Sequence, residues 1–205
     1  IFPIMRHRNI IKKAIIPLLF TAPFMSNAEN IFLEEFKTTH NCVPFDRIEK
    51  SYYEAAVDSG IKQAEQEIAA IVNQRSMPTF ENTIVALENS GEILNRTLNT
   101  FYPILSADGD DEMNEISLRI APKLSEYQAN ITLNEKLWQR IKHVYDNREK
   151  LNLSVEEATL LQRTYDMFAQ SGATLEGADR DTYRKLTAEL SELTLKFNQN
   201  TVKET

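Results

Sequence analysis

Apolar side chains recur at steps of four and three along most of this chain, and each such run marks a helix with one buried stripe. Val57, Ile61, Ala64, Ile68 and Ile71 predict a helix from about Ser51 to Asn73, with Lys62, Gln63, Glu65, Gln66 and Glu67 on its solvated face. A second stripe follows Pro78: Phe80, Ile84, Leu87, Leu94, Leu98 and Phe101, with Gly91 filling the gap. It predicts one uninterrupted helix from Phe80 to about Phe101, roughly 33 Å long. Thr79 is placed to cap it, its hydroxyl accepting from an orphan backbone N–H. Met113, Ile116, Ile120, Leu124, Tyr127 and Ile131 predict a third helix, and Leu133, Leu137, Ile141 and Val144 a fourth, flanked by Trp138 and Tyr145. Ala158, Leu161, Tyr165 and Phe168 make a fifth, opened by the capping box Ser154-Val155-Glu156-Glu157. Gly172 is suited to the C′ position after it. A sixth begins near Ala178 and carries Tyr183, Leu186, Leu190, Leu193 and Phe197.

The breaks between stripes are equally informative. Pro103 and Asp108-Gly109-Asp110-Asp111 predict a turn after the second helix. That acidic turn lacks the alternating ligands and distal glutamate of a calcium loop, and Asp110 or Asp111 is expected near a helix N-terminus, where a carboxylate is favoured. Pro122 falls inside the third helix and is expected to kink or split it. Residues 29–50 read as an extended leading segment; Pro44 excludes helix at Val43, and Phe45 and Ile48 are expected to anchor it in a core. Five glycines and seven prolines leave little material for tight hairpins. The fold class is therefore all-α, a helical bundle or layered helical lobe.

Residues 1–28 have a different character. Arg6, Arg8, Lys12 and Lys13 precede an apolar run from Ala14 to Met25, and Ser26-Asn27-Ala28 supplies small residues. This basic, apolar, small-residue order is that of a secretory signal peptide, with Ile1–Ile4 as leading non-native residues before Met5. Export to the periplasm or the exterior is the expected localisation. Pro17, Pro23 and the short run argue against a lasting membrane span, so no stable insertion is expected after cleavage. That segment takes four of the 23 basic residues and none of the 30 acidic ones, leaving a net charge of −11 on the remainder. No basic face for nucleic acid is visible.

Candidate chemistry is sparse. Cys42 is the single cysteine, so no disulfide forms within the chain; it is expected to be small and partly buried, and His40 nearby has no third group to complete a catalytic set. The histidines His7, His40 and His143 lie far apart, and no H-E-x-x-H occurs. His143 is expected to be a partly exposed structural residue. Phosphate-binding loops and nucleophile elbows are absent too. Asn95, Asn130 and Asn152 match glycosylation sequons, with Asn95 inside an expected helix. No catalytic, cofactor-binding or metal-binding residue is assigned to this chain.

Several phrases, in order, nevertheless carry a resemblance: Val43-Pro44-Phe45-Asp46-Arg47-Ile48, Ile68-Ala69-Ala70-Ile71-Val72-Asn73, Pro78-Thr79-Phe80-Glu81-Asn82-Thr83-Ile84 running on to Gly91, Leu133-Asn134-Glu135-Lys136-Leu137, Ser171-Gly172-Ala173-Thr174-Leu175, and Glu189 through Phe197. From about residue 30 onward the chain resembles the N-terminal region of the thimet-oligopeptidase/peptidyl-dipeptidase family of zinc metallopeptidases, the bacterial peptidyl-dipeptidases above all. The resemblance implies the N-terminal part of a larger, mostly helical, two-lobed peptidase that removes C-terminal dipeptides from short peptides. Residues 51–205 would be an N-terminal helical lobe, truncated at its C-terminal end and forming part of the wall of the substrate channel. The partner it implies is the missing C-terminal catalytic lobe, which would carry the zinc and the H-E-x-x-H motif; zinc belongs to that full-length parent and no cofactor to this chain. A 1–205 product is accordingly expected to be inactive, with Leu186, Leu190, Leu193 and Phe197 short of partners. The alternative is a self-contained helical interaction module without enzymatic activity.

Overall fold

The computed structural model describes residues 30–203, and the signal-peptide reading of residues 1–28 lies outside them. Every described element is helical. Helix α1 is Ser51–Val72, as its stripe predicts. A π-helical turn, Phe80–Val85, runs into a single α-turn, α2, at Ala86–Glu88. Then come α3 (Glu92–Asp108), α4 (Asp111–Thr132), α5 (Glu135–Asp146), α6 (Val155–Phe168) and α7 (Gly177–Lys203).

The two N-caps read from sequence, Thr79 and Ser154, are in place. Thr79 accepts from Asn82 N while Asn82 Oδ1 accepts from Thr79 N, a reciprocal box. Ser154 and Glu157 form the second box, opening α6. Asp110 caps α4, accepting from Met113 N. Gly172, expected at the C′ position after α6, lies instead inside the π-turn Ala169–Ala173 that prolongs that helix, with φ of 86°.

The expected single helix from Phe80 to Phe101 does not form. The chain breaks at Asn89-Ser90-Gly91, where Gly91 takes φ of 71° in the left-handed region. Ser90 Oγ donates to Leu87 O, and Gly91 N–H donates to Glu67 Oε2 on α1 at 2.8 Å. Gly91 stands two residues past the Asn89 C-cap of α2 and is itself the N-cap of α3, a left-handed position that glycine takes without strain; the four-three spacing on either side concealed the break. The break lets α3 set off in a new direction across α1. They approach tightly at Gly60, where a Cβ would sit 2.8 Å from Leu94 N.

Pro103 does not end α3, which continues to Asp108. Phe101 is fully buried, and Ile104 and Leu105 beyond the proline pack on the same core, so tertiary burial outweighs one missing backbone hydrogen bond. Pro122 likewise sits within an unbroken α4, its own side chain exposed while Ile120 and Leu124 pack inward.

Two apolar clusters hold the body together, and α1 runs through both. One gathers Tyr53, Ala56 and Val57 of α1 with Leu94, Phe101, Met113, Ile116 and Ile120. The other gathers Ile68 and Ile71 with Phe80, Ile84, Leu137, Trp138, Ile141, Leu161 and Phe168. The leading segment carries three short 3₁₀ turns between extended residues. Its anchors are Phe32 and Phe36, buried against Tyr53 and its neighbours, rather than Phe45, which is 62% exposed; Ile48 is half-buried against the same cluster. Arg96 on α3 fastens this segment, donating to Phe32 O at 2.8 Å and Glu34 O at 2.6 Å beneath the Phe36 ring.

Candidate functional site

Helices α1 and α4 lie side by side and leave an open cleft of about 260 Å³, lined by Asp58, Ile61 and Glu65 from α1 and Lys123, Glu126, Tyr127 and Asn130 from α4. An ion-pair ladder closes one end: Arg119 Nε meets Glu54 Oε2 at 2.8 Å, and Lys123 Nζ meets Glu54 at 3.2 Å and Asp58 at 2.7 Å. The Arg119 and Lys123 bonds hold the Glu54 carboxyl below its usual range, and the Asp58 and Glu54 bonds hold Lys123 above its own. At the other end Arg184 of α7 donates to Asn130 Oδ1 at 2.6 Å. Burial, with Glu67 and Glu65 nearby, pushes the Tyr127 phenol up to about 12, so it stays protonated at neutral pH. The cleft can accept polar groups and water. Its lining includes no histidine, cysteine or serine, hence no nucleophile–base pair of the usual kinds.

The residues weighed from sequence stay apart from this cleft. His40 sits exposed on a 3₁₀ turn with φ of 59°. Cys42 is exposed rather than partly buried, because Thr38 Oγ1 donates to Cys42 O and closes a loop that packs on neither cluster. His143 is half-buried on α5, its carbonyl accepting from Asn147 Nδ2. Among the described residues no group of three His, Cys, Asp or Glu side chains is gathered as a metal would need, so they do not fit a zinc site.

A polar knot inside the Phe80 phrase escaped the sequence reading. Asn82 Oδ1 accepts from Thr79 N at 2.9 Å, from Thr83 Oγ1 at 2.8 Å and from Arg140 Nη2 at 2.9 Å; Asn82 Nδ2 donates to Met77 O at 2.9 Å. Arg140 is only 7% exposed and also donates to Ser76 O at 3.3 Å. Its position on α5 reads as ordinary helix surface, so periodicity alone gave no signal. The most distinctive phrase of the chain is thus a structural joint between the α1–α2 connection and α5.

With the geometry described, the relatives decide the family. The chain is 36% identical over 170 residues to dipeptidyl carboxypeptidase of Escherichia coli strain K12, covering 83% of this chain and 25% of that protein. It is 32% identical over 170 residues to dipeptidyl carboxypeptidase of Salmonella typhimurium strain LT2, with the same coverage. Oligopeptidase A of Haemophilus influenzae is further away, 25% identical over 157 residues. The chain fits the thimet-oligopeptidase/peptidyl-dipeptidase family. No family model matches it. This peptidyl-dipeptidase-like segment spans about a quarter of the length of the curated relatives it matches. Gly60, Asn82, Gly91 and Arg140 are structural members of it: two fix where α3 passes α1, and two tie α5 to the connection before α2.

Proposed function

We propose that the chain is the N-terminal segment of an exported zinc peptidase that removes C-terminal dipeptides from short peptides, and that this segment is scaffold and channel wall. The observation that carries the reading is the 36% identity to dipeptidyl carboxypeptidase over a quarter of that protein's length. The lack of an H-E-x-x-H motif in the sequence supports a division of labour, with hydrolysis performed by polypeptide outside these residues. Export rests on the basic, apolar, small-residue order of residues 5–28.

What this segment contributes is shape. Its helices are cross-braced by the Glu54–Arg119–Lys123–Asp58 ladder and the Arg140–Asn82 joint, and a braced wall can limit entry to narrow, unfolded peptides. The test uses residues 29–205, purified and supplied with zinc, against short peptides with free C-termini. No dipeptide release is expected from it, whereas the product of the full reading frame releases C-terminal dipeptides. Zinc-dependent release by the 29–205 segment would overturn the scaffold reading.

A further inference from the structure

The first half of α7 is docked on the body. The Tyr183 ring lies against Gly172, Arg184 reaches Asn130 on α4, Arg180 Nε donates to Leu175 O at 2.9 Å, and Arg180 Nη1 pairs with Glu135 at 3.6 Å. Further along, the same helix turns an apolar stripe outward. Leu186 is 60% exposed, Leu190 65% and Leu193 55%. Phe197 continues the register. Other large exposed apolar side chains, such as Phe45, Met77 and Val155, are scattered over separate elements.

The stripe has a shape that selects its occupant. Steps of four, three and four are the d-a-d-a order of a coiled-coil seam, which receives knobs from a helix laid nearly along it. Thr187 and Thr194 flank the seam on one side and Glu189 and Lys196 on the other, a polar border rather than a wide apolar patch. An extended peptide or a membrane surface matches such a narrow seam poorly.

Relatives of this chain are about four times the length of the part matched. We propose that the α7 seam is the docking strip for a helix in the polypeptide outside this matched quarter, so that α7 joins this lobe to the rest of the protein. This rests on the reading above that the chain is a segment of a longer peptidase.

The test places a thiol on the seam. Leu190→Cys is built together with Cys42→Ser, in the 205-residue chain and in the product of the full reading frame, and the alkylation rate at position 190 is followed. Leu118→Cys on the exposed face of α4, 41% exposed, is the control. Position 190 is expected to react at a rate close to that of position 118 in the shorter chain, sedimenting as a monomer. In the longer protein it should react at least tenfold more slowly than in the shorter one, with position 118 unchanged. Equal rates at position 190 in both proteins would overturn the assignment. So would slow alkylation in the shorter chain that follows a concentration-dependent dimer, which would make a second copy the occupant. A longer protein that releases C-terminal dipeptides while position 190 stays reactive sinks the docking strip alone. One that protects position 190 but releases no dipeptide sinks the peptidase reading alone. A reading frame that stops after Thr205 overturns both.

Discussion

Arg140 Nη2 donates to Asn82 Oδ1 at 2.9 Å, and through that one bond a buried guanidinium on α5 holds the start of the Phe80 turn 58 residues away in sequence. The partner is a neutral amide that already accepts from Thr79 N and Thr83 Oγ1. Burial lowers the Arg140 pKa from its ordinary value, the direction expected for a cation without a nearby carboxylate. Asn82→Ala removes the Asn82 half of the capping box and an acceptor of the buried cation together, while Thr79 still caps the turn. It should cost about 3 kcal/mol, since a buried donor left unmet carries its full desolvation penalty. Arg140→Met removes the charge with its need for partners and should cost less. The double variant should be more stable than the sum of the two losses predicts, by at least about 1 kcal/mol. Urea unfolding of the four proteins checks this; strict additivity would show that the joint carries no coupling.

At Gly60 the expectation is steric. A Cβ there would lie 2.8 Å from Leu94 N and 2.9 Å from Leu94 Cα, both main-chain atoms of α3 that cannot swing aside. Gly60→Ala is a favourable change in an isolated helix. In this protein it should destabilise by about 1–3 kcal/mol through overpacking. A rise in the denaturation midpoint would mean that α3 does not pass α1 at this point.

Arg96 should act as a clasp rather than as part of the core. Arg96→Ala removes the bonds to the carbonyls of Phe32 and Glu34 but leaves both clusters filled. Hydrogen exchange should quicken over residues 31–36 and stay unchanged in α5 and α6. Phe32→Ala, at a fully buried position, should instead lower global stability by about 3–5 kcal/mol.

The ion pairs set a direction with pH. Lys50 and the Met113 N–H lower the Asp110 pKa, and Arg119 with Lys123 lowers that of Glu54. Their contribution is complete above the ordinary carboxylate range, about pH 4, and is lost as pH falls through the lowered values. Lys50 and Lys123 have raised pKa values, Lys50 through Asp110 and Glu112, so their contribution holds below the ordinary lysine value and fades as pH rises through the raised one. Thermal unfolding should show a plateau across neutral pH with losses on both flanks. Glu54→Gln should flatten part of the acid limb, and an unchanged acid limb would show the α1–α4 ladder to be energetically silent.

Much of the architecture was legible in the residue order. The stripes located α1, α4, α5, α6 and α7 because an amphipathic helix writes its buried face into its own sequence at a fixed period. The caps at Thr79 and Ser154 were legible for a related reason: they bond within three residues of themselves; between Asp110 and Asp111 near the start of α4 the sequence left the choice open, and Asp110 is the cap. What failed depended on distant partners. The bend at Gly91 serves a carboxylate on α1, Pro103 is tolerated because Phe101 and its neighbours are buried by other helices, and Phe32 displaces Phe45 as anchor because Arg96 and Tyr53 are waiting for it. The functional surfaces divide in the same way. The α7 stripe could be written down from spacing, and the exposure of its leucines was expected from the resemblance, whereas the α1–α4 cleft could not be foreseen.

By itself, then, the sequence determined an all-helical segment, its local caps and its family phrases, since each is encoded within a few residues. Only the tertiary structure decided that Asn82 is a joint, that α3 crosses at Gly60, and that α1 and α4 leave a cleft between them. Those outcomes depend on which surfaces meet across dozens of residues, and burial at such meetings is strong enough to overrule a proline or to place a charged arginine in the interior.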